Sequence, residues 1–384
     1  MREEKIYEGK DEALLPARLV YDPKNNNSEK KYGDFQRVYQ GIPTIERSQG
    51  GNLFYAFYSG GVGEEKGNFI LLYKNVSDCG FNFCQVMAIE PPTPDCRVFD
   101  PCLWTDPQGR LWLFYAQSYA VGTHIDGRFG VWAVVCNAPD EELRFSEPRR
   151  IANGIMMNKP TVTKNGNWLL PCAIWHAFPS HYNSLPEENF SNVYCSYNDG
   201  ESFELIGRSA TEKRMIDEHM IVELVDGRLM MYIRSSGGVG VSYSDDGGKT
   251  WNDEENLIHN GPNSRFCIRR LRSGNLVFVY HPAGFGRSNL TAWISSDDGK
   301  SWQGGLLLDD RCETSYPDLA EDDAGNIYIA YDFNRTKEKE MYLAVVKESD
   351  ILSARLVNET SRLRILVNKA FGVNPNADQK AYKA

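Results

Sequence analysis

The stretch SDDGGKTW, residues 244–251, combines two adjacent carboxylates, two glycines, a lysine and a hydroxyl. Asp-Gly and Gly-Gly pairs between apolar, alternating segments are typical of tight β-hairpin turns. The spaced oxygen ligands and the closing glutamate of an EF-hand calcium loop are absent from it. The stretch therefore favours a structural turn, and its recurrence along the chain decides which fold this turn belongs to.

The same register, Ser-x-Asp/Asn-x-Gly-x-Ser/Thr-aromatic, recurs in SYNDGESF at 196–203 and in SSDDGKSW at 295–302. Eroded copies end at Phe83 and Phe145. A spacing of about fifty residues is that of a repeated unit of about four short strands. In each box an acidic or amide residue, a glycine and an aromatic are expected to hold the turn: Asn198, Gly200 and Phe203; Asp246, Gly248 and Trp251; Asp297, Gly299 and Trp302.

Apolar runs between the boxes, such as NLFYAFYSGG, RLWLFYAQS and RLMMYIRSS, are typical of β-strands. Five marked repeats and one unmarked repeat after residue 313 predict an all-β fold, a six-bladed β-propeller with four antiparallel strands in each blade. We expect residues 1–356 to form the propeller, with an N-terminal strand from residues 1–35 closing the last blade. Residues 357–384 are expected to form a C-terminal extension with a polar tail.

The composition is that of a globular protein, since 41% of the 384 residues are hydrophobic and 24% are charged. The net charge of −10 argues against nucleic acid and anionic membranes as partners, because both attract clustered positive charge. Nine cysteines occur without paired metal-ligand spacing, so mostly buried free thiols are expected. The sequence requires neither a metal nor another cofactor.

The first residues, MREEKIYEGK, lack the apolar segment of a signal peptide, and the chain has no apolar run long enough to span a bilayer. We therefore expect the chain as given to be cytoplasmic. A signal peptide removed beforehand would instead make it periplasmic or secreted.

The boxes and the count of six repeats resemble those of the sialidases, a family of six-bladed propellers with Asp-boxes. The resemblance covers roughly residues 36–347. It implies a tyrosine nucleophile, a glutamate that activates this tyrosine, an acid/base carboxyl group, and three arginines that bind the carboxylate of the substrate.

Three segments resemble the family in the expected order. The segment TSYPDLAEDDAGNIYIAYD implies that Tyr316 is the nucleophile. The segment DEHMIVELVDGRLMMYIR implies that Glu218 is the activating carboxylate and Arg234 one of the three arginines. The segment LVFVYHPAGFGRSNLTAW implies that Arg287 is another. A neutral phenol meets less repulsion than a carboxylate would when it attacks a carbon that bears a carboxylate, provided that a base takes its proton.

The first arginine of the family's set is absent, because the matching segment, YQGIPTIERSQGG, has Gly41 in its place. Losing one bidentate guanidinium is expected to weaken carboxylate binding. Arg37 or an arginine from another blade, with Arg265 the best placed, could substitute for it. The glycine also leaves room for a differently shaped sugar.

The general acid has two candidates. The family's acid follows the second strand of the first blade, where SGGVGEEKGNFILLYK supplies Glu64, the favoured residue, beside Glu65. Asp100 in RVFDPCLW is the rival, since a carboxyl group beside Pro and Trp could have a raised pKa.

Further polar or aromatic residues next to strands are expected to line the substrate pocket. Asn158 and Lys159 precede a strand, Trp175 and His176 end one, and His219 lies beside Glu218. Asp332, Asn334 and Arg335 follow an inner strand of the last repeat and could also face the axis.

The sequence thus supports three functions. The first is a retaining exo-glycosidase that removes a terminal, acidic sugar from a glycan. The second is a polysaccharide lyase in which an arginine neutralises a uronate and Tyr316 or a histidine abstracts the α-proton. The third is a glycan-binding propeller without catalysis, which the missing arginine favours.

Overall fold

The structure, a computed structural model, describes residues 10–21, 30–77, 80–119, 125–175, 183–252 and 256–374. Six antiparallel sheets follow one another along the chain. The fold is a six-bladed β-propeller, as predicted. Within the described ranges, no helix is long and apolar enough to cross a membrane.

In the described ranges, the blades are built from 25 strands. The first two blades contain β1 (Arg18–Tyr21), β2 (Tyr39–Arg47), β3 (Leu53–Gly60), β4 (Phe69–Asn75) and β5 (Phe83–Glu90), and β6 (Cys96–Thr105), β7 (Leu111–Tyr119), β8 (Val131–Cys136) and β9 (Arg149–Ala152). The third and fourth contain β10 (Thr161–Val162), β11 (Trp168–Ala173), β12 (Ser191–Ser196) and β13 (Glu204–Ser209), and β14 (Met220–Glu223), β15 (Leu229–Ser235), β16 (Gly238–Ser244) and β17 (Asn256–Asn260). The last two contain β18 (Cys267–Arg270), β19 (Leu276–Tyr280), β20 (Leu290–Ser295) and β21 (Gln303–Asp309), and β22 (Thr314–Glu321), β23 (Ile327–Phe333), β24 (Glu340–Val346) and β25 (Arg362–Lys369).

Helical structure is limited to short connections in the described part of the chain. One α-helix, α1 (Glu348–Leu352), joins the last two strands. The described 3-10 helices are Lys10–Leu14, Lys30–Tyr32, Gly127–Phe129 and Pro186–Glu188.

The first strand of each complete blade lies at the axis. β2 contacts β6 on one side and β22 on the other, β10 contacts β14, and β18 contacts both β14 and β22. The ring therefore closes where the inner strands of the first and sixth blades meet.

The prediction that an N-terminal strand closes the last blade is wrong. β1 pairs with β5 and adds a fifth, outer strand to the first blade, whereas β25 supplies the outer strand of the sixth blade. The propeller therefore extends past residue 356, because the sixth blade already obtains four strands from consecutive sequence. Backbone bonds complete the closure, since the N–H groups of Phe371 and Gly372 donate to the carbonyls of Asp34 (2.7 Å) and Arg37 (3.0 Å).

The hydrophobic core lies between neighbouring blades, and central strands such as β15 are buried along their whole length. Between the second and third blades, the rings of Trp112 and Trp168 pack edge to face with centroids 5.7 Å apart. A Cβ atom on Gly200 would meet both rings at 2.5–2.8 Å. The glycine of the box in the third blade, SYNDGESF, therefore contributes to the packing between blades as well as to the turn.

The three boxes form hairpin turns between the third and fourth strands of their blades, as predicted. In SDDGGKTW, Asp246 Oδ1 accepts hydrogen bonds from the N–H groups of Lys249 (3.1 Å) and Thr250 (2.9 Å). Gly248 has φ +94°, which favours glycine, and its carbonyl accepts the Trp251 indole N–H at 2.9 Å. Asp297 and Asn198 repeat the pattern, each accepting the backbone N–H four residues ahead at 2.9–3.0 Å. Residues 78–79 of one eroded copy lie outside the described ranges.

Three inner strands share one irregularity. The pairing of β2, β6 and β22 breaks between Gly41 and Thr44, Phe99 and Cys102, and Ser315 and Asp318, respectively. Within each break a residue with positive φ precedes a proline: Ile42 (φ 59°), Asp100 (φ 50°) and Tyr316 (φ 55°). Proline is accommodated at these breaks because it has no N–H group to donate to the neighbouring strand. A bulge of this kind also redirects the neighbouring side chain.

Candidate active site

A pocket of about 140 Å³ lies at one end of the inner strands. Residues from several blades line it: Ile42, Glu64, Arg97, Asp100, Met157, Trp175, Ile216, Glu218 and Tyr316. Four of these residues, Ile42, Asp100, Ile216 and Tyr316, have positive φ although none is glycine. Such strained conformations cost about 1–3 kcal/mol each and cluster at functional sites. The pocket is therefore the candidate active site.

Tyr316 and Glu218, which line this pocket, form a closed contact with Arg234. The Tyr316 hydroxyl donates to Glu218 Oε1 at 2.7 Å. Arg234 Nη1 lies 2.7 Å from Glu218 Oε2 and donates to the Tyr316 hydroxyl at 3.1 Å. All three side chains are buried, at 6% exposure or less for each residue. The structure thus joins the three residues to which the sequence assigned the nucleophile, its base and an arginine.

The electrostatics keep this tyrosine neutral in the resting site. Burial, and next the charge of Glu218, raise the pKa of Tyr316 to about 12, although Arg234, Arg335 and Arg287 oppose the rise. Burial would lower the pKa of Arg234, but Glu218 and Tyr316 hold it above the ordinary arginine value. The phenol therefore keeps its proton at neutral pH and already has a carboxylate positioned to accept it.

A second group of cations lies around the Tyr316 ring. Arg287 is half-buried, with its guanidinium carbon 5.6 Å from the ring centroid. Its Nη2 donates to the backbone carbonyl of Asn263 at 3.2 Å, and Arg234 Nη2 donates to the same carbonyl at 3.1 Å. The Asn263 side-chain oxygen also accepts from Arg234 Nε at 2.6 Å. Asn263 therefore fixes both predicted arginines beside Tyr316.

Arg335 occupies the space beside Gly41. A Cβ atom on Gly41 would lie 2.5 Å from Cδ and 2.8 Å from Cγ of Arg335. The guanidinium carbon lies 4.1 Å from the centroid of the Tyr316 ring. Its nitrogens donate to Asp332 Oδ2 (2.9 Å), Ser315 Oγ (3.1 Å) and Glu64 Oε1 (3.1 Å).

Glu64 lies in the loop between β3 and β4, and its side chain is 39% exposed. Burial would raise its pKa, but the charges of Arg335 and Arg97, with a hydrogen bond from the Tyr39 hydroxyl at 3.2 Å, hold the pKa below the ordinary glutamate value. Glu64 is therefore ionised in the unliganded pocket.

Asp100 behaves in the opposite way. It is only 2% exposed, and burial followed by the charge of Glu64 raises its pKa to about 8. Next to it, Arg97 stacks on Phe99 with 3.8 Å between the guanidinium carbon and the ring centroid. Within the described residues, Nη1 of Arg97 is buried and has no hydrogen-bond partner. Of these two pocket residues, Glu64 is thus ionised at neutral pH and Asp100 is neutral.

Four predicted binding residues do not form the wall of the pocket. Asn158 donates to the His219 carbonyl (2.9 Å) and accepts from Arg265 Nε (2.7 Å). Arg265 is 1% exposed and donates to the carbonyls of Met157 (2.9 Å) and Tyr316 (3.5 Å). His219 is fully buried between two backbone carbonyls, and burial lowers its pKa to about 4. The structure therefore places these three residues behind the pocket, where they support its backbone, and not in the pocket wall as expected.

Lys159, the fourth residue, is directed along the axis instead. Its ammonium group donates to the carbonyls of Ile45 and Leu103, both at 2.6 Å, and lies 3.1 Å from Glu46 and from Asp318. This ion cluster ties together the inner strands of four blades. Lys159 also borders a larger cavity, of about 520 Å³, further along the inner strands, which contains neither Tyr316 nor Glu218.

Of the remaining predicted residues, Trp175 lines the pocket, whereas His176 lies outside the described residues. Arg37, one of the predicted substitutes at the place of Gly41, is fully buried, and its guanidinium pairs with Asp34 and donates to Asn368 at 3.0 Å. Among the residues that the structure describes, no group of three or more His, Cys, Asp or Glu side chains could hold a metal ion.

Comparison with known proteins assigns the family. Residues 52–329 match the model of the BNR repeat-like domain. The chain belongs to the BNR repeat-like family. No curated protein sequence matches the chain.

Solved structures with the fold of this BNR repeat-like propeller include sialidases. The Hadza microbial sialidase Hz136 is 17% identical, with a TM-score of 0.62 over 78% of this chain and 64% of that one. The leech intramolecular trans-sialidase is 13% identical, with a TM-score of 0.62 over 88% and 71% of the two chains. A Dyadobacter fermentans protein of unknown function is 15% identical, with a TM-score of 0.60 over 78% and 92%. The chain spans less than two thirds of the first of these relatives, and the similarity establishes the fold.

Sequence reasoning assigned no role in this BNR repeat-like site to Asn263 or Arg97, and it named Arg335 only as a residue that could face the axis. The repeated residue-Pro pairs Ile42-Pro43, Asp100-Pro101 and Tyr316-Pro317 were a usable signal for the bulges. In contrast, the packing of Arg335 beside Gly41 brings together residues that are far apart in the chain, so no local sequence pattern indicates it.

Proposed function

We propose that the chain is a retaining exo-glycosidase of the sialidase type, which removes a terminal, acidic sugar from a glycan. The observation that carries this proposal is the 2.7 Å hydrogen bond from the Tyr316 hydroxyl to Glu218, with Arg234 bonded to both groups. A buried phenol that donates to a fixed carboxylate is the arrangement expected of an activated nucleophile.

In the first step, Tyr316 Oη attacks the anomeric carbon while the bond from this carbon to the leaving oxygen breaks. The phenol proton passes to Glu218. Glu64, which must carry a proton once substrate is bound, transfers it to the leaving oxygen, and the aglycone departs as an alcohol. The product of this step is a covalent glycosyl-tyrosine intermediate, an aryl glycoside whose anomeric configuration is inverted relative to that of the substrate.

In the second step, Glu64 acts as a base and takes a proton from water, whose oxygen attacks the anomeric carbon. The bond to Tyr316 Oη breaks, and Glu218 returns its proton to the phenolate. Two displacements at one carbon give net retention of configuration. Arg234 and Arg287 would bind the acidic group of the sugar, and Arg234 would also stabilise the phenolate as it forms.

Asp100 is assigned a binding role rather than the acid role. Its pKa of about 8 makes it a neutral carboxyl group at pH 7, which can donate a hydrogen bond to a sugar hydroxyl. Glu64 is the more exposed of the two carboxyl groups and lies on a loop, where a leaving group can reach it. Glu64→Gln is therefore expected to slow alkyl glycosides about 10²–10⁴-fold, and aryl glycosides with good leaving groups much less. The reverse ranking for Asp100→Asn would transfer the acid role to Asp100.

The decisive experiment is a screen of terminal glycosides: sialic acids, deaminated and octulosonic ketosides, uronides and neutral sugars. The first-formed anomer is read by NMR. We expect turnover of an acidic ketoside with retention. Inversion would exclude the tyrosine nucleophile, and activity on neutral glycosides alone would exclude the assigned role of the arginines.

The same assay separates the competing functions. A lyase would leave an unsaturated sugar that absorbs near-ultraviolet light, whereas a hydrolase would not. A binding propeller would bind equally well before and after Tyr316→Phe and turn over nothing. Loss of turnover with retained binding in Tyr316→Phe would instead support the glycosidase.

A further inference from the structure

Arg335 has a divided set of partners. Its Nε and Nη2 are anchored by Asp332 (2.9 Å) and Ser315 (3.1 Å), which are 0% and 3% exposed. Its Nη1 donates instead to Glu64, whose side chain is 39% exposed and lies on a loop. One edge of the guanidinium is therefore fixed within the protein, while the other is held by a carboxylate that can move.

The position of Arg335 depends on Gly41. Because a Cβ atom at position 41 would lie 2.5 Å from Arg335 Cδ, only glycine leaves room for the arginine stem. The guanidinium then packs on the ring of Tyr316, 4.1 Å from its centroid. A carboxylate attached to the carbon that Tyr316 attacks would lie within reach of this guanidinium.

We propose that Arg335 binds the carboxylate of the substrate, and that this carboxylate displaces Glu64 from Nη1 and thereby releases Glu64 to act as the general acid. The proposal rests on the glycosidase function proposed above. The exchange replaces one carboxylate by another on the same nitrogen, so the charge next to Arg335 is preserved. Only a sugar that carries the carboxylate would complete the exchange, which couples recognition to proton transfer.

The surroundings of Glu64 determine what the exchange does. Arg335, Arg97, Tyr39 and Tyr58 stabilise its ionised form, and Asp100 is the neighbouring carboxyl group. Once the substrate carboxylate neutralises Arg335, the strongest of these stabilising charges is cancelled, while burial still favours the neutral form. The pKa of Glu64 therefore rises when an acidic substrate binds, and the group takes up the proton that the leaving oxygen requires.

The pH dependence of hydrolysis tests the exchange. The probe is sialyllactose, or whichever acidic alkyl ketoside the screen identifies, because its poor leaving group needs the acid. The basic limb of kcat/KM reports the free enzyme and that of kcat the complex. In the wild type we expect the basic limb of kcat to lie about one pH unit or more above the basic limb of kcat/KM. In Arg335→Gln we expect the two limbs to coincide. An unchanged separation in Arg335→Gln would overturn the proposal.

Binding provides a second readout that does not need turnover. In a Tyr316→Phe background, the acidic ketoside should bind about tenfold or more tightly than its methyl ester, as expected for a charge-assisted hydrogen bond. Adding Arg335→Gln should reduce this preference to the part that Arg234 and Arg287 supply, and Arg335→Lys should reduce it less. Arg272→Gln, which removes an arginine that pairs with Asp323 outside the pocket, is the matched control.

The outcomes separate the inference from the proposed function. Turnover of acidic ketosides with the same acid-to-ester preference in Arg335→Gln would reject the role of Arg335 and leave the glycosidase standing. Absence of both turnover and binding across all acidic ketosides of the panel would reject the glycosidase, and the exchange with it. Circular dichroism of each variant, with Arg335→Lys as the milder change, verifies that the fold is retained.

Discussion

Asp246 and Asp100 are the same amino acid in opposite settings. Asp246 is exposed on the rim, where hydrogen bonds from the backbone and then the side chain of Thr250 lower its pKa to about 2. Asp100 is buried in the pocket, where desolvation and then Glu64 raise its pKa to about 8. The rim carboxylate obtains all these partners from its own turn, whereas the pKa of the pocket carboxyl group also depends on charges from distant parts of the chain.

This difference separates scaffold from chemistry within one propeller. A rim turn is complete within eight residues, so it can be repeated in each blade and tolerates change in one copy. The pocket combines residues that are far apart in sequence, such as Glu218 and Tyr316, and each occurs there once. Changes at the rim should therefore affect stability, and changes in the pocket should affect turnover.

The largest expected effect is that of Tyr316→Phe. Removing the attacking oxygen should lower kcat at least about 10³-fold, since the residues of a catalytic unit act together. The matched control is Tyr115→Phe, because the Tyr115 hydroxyl is buried and has no hydrogen-bond partner among the described residues. That variant should retain kcat. Equal losses of kcat in the two variants would abolish the distinction between pocket and scaffold.

The next largest effect is a loss of stability at two glycines, one required by packing and the other by its backbone conformation. Gly41→Ala should destabilise the fold by about 1–3 kcal/mol, because its Cβ overlaps the anchored Arg335 side chain. The penalty should largely disappear in an Arg335→Ala background. Gly248→Ala should be destabilising through its φ of +94° in either background. Urea denaturation of the single and double variants measures the coupling, and additive effects of Gly41→Ala and Arg335→Ala would contradict it.

The two aspartates should give opposite pH dependences of stability. The folded pKa of Asp100 lies above the unfolded value near 4, so stability falls as pH rises from about 4 to about 8, by at most about 1.4 kcal/mol per pH unit. The folded pKa of Asp246 lies below the unfolded value, so its contribution is present above pH 4 and is lost as pH falls toward about 2. Urea denaturation from pH 3 to 9 should show that Asp100→Asn removes the first dependence and Asp246→Asn the second.

The smallest effects are expected at the boxes under neutral conditions. Asp246→Asn should lose at pH 7 only the charge-assisted part of the turn's hydrogen bonds, because Asn198 accepts the equivalent backbone N–H in the third blade. Asp246→Ala should cost about 1 kcal/mol, since it leaves exposed backbone N–H groups that water can satisfy. Neither variant should change kcat/KM. A loss of activity in Asp246→Asn with normal stability would assign the box a direct part in function.

The sequence was informative where structure is local or repeated. The boxes, the blade count and the segments with Tyr316, Glu218 and Arg234 could be identified because each carries its own pattern. The ring closure could not, because β1 precedes the first blade and β25 follows the strands of the sixth, so that either could complete the sixth blade. Pairing partners that are distant in sequence are decided by packing rather than by the composition of one strand.

The direction in which side chains point was the second feature that the sequence could not predict. Asn158 and Lys159 are adjacent, yet one bonds to Arg265 behind the pocket and the other reaches the ion cluster on the axis. Such a difference depends on where a strand begins relative to its neighbours, and a shift of one residue reverses it. The position of Arg335 could not be predicted either, because the space for its side chain is provided by Gly41, almost three hundred residues earlier in the sequence.

The bulges in β2, β6 and β22 give the pocket three structurally equivalent positions. Each presents one side chain, in front of a proline, to the same cavity: Ile42, Asp100 and Tyr316. Two of these positions carry ionisable groups, and the third carries an aliphatic one. Position 42 is therefore a natural entry point for redesign, where a histidine or a carboxylate would add a new functional group without altering the backbone that supports the other two.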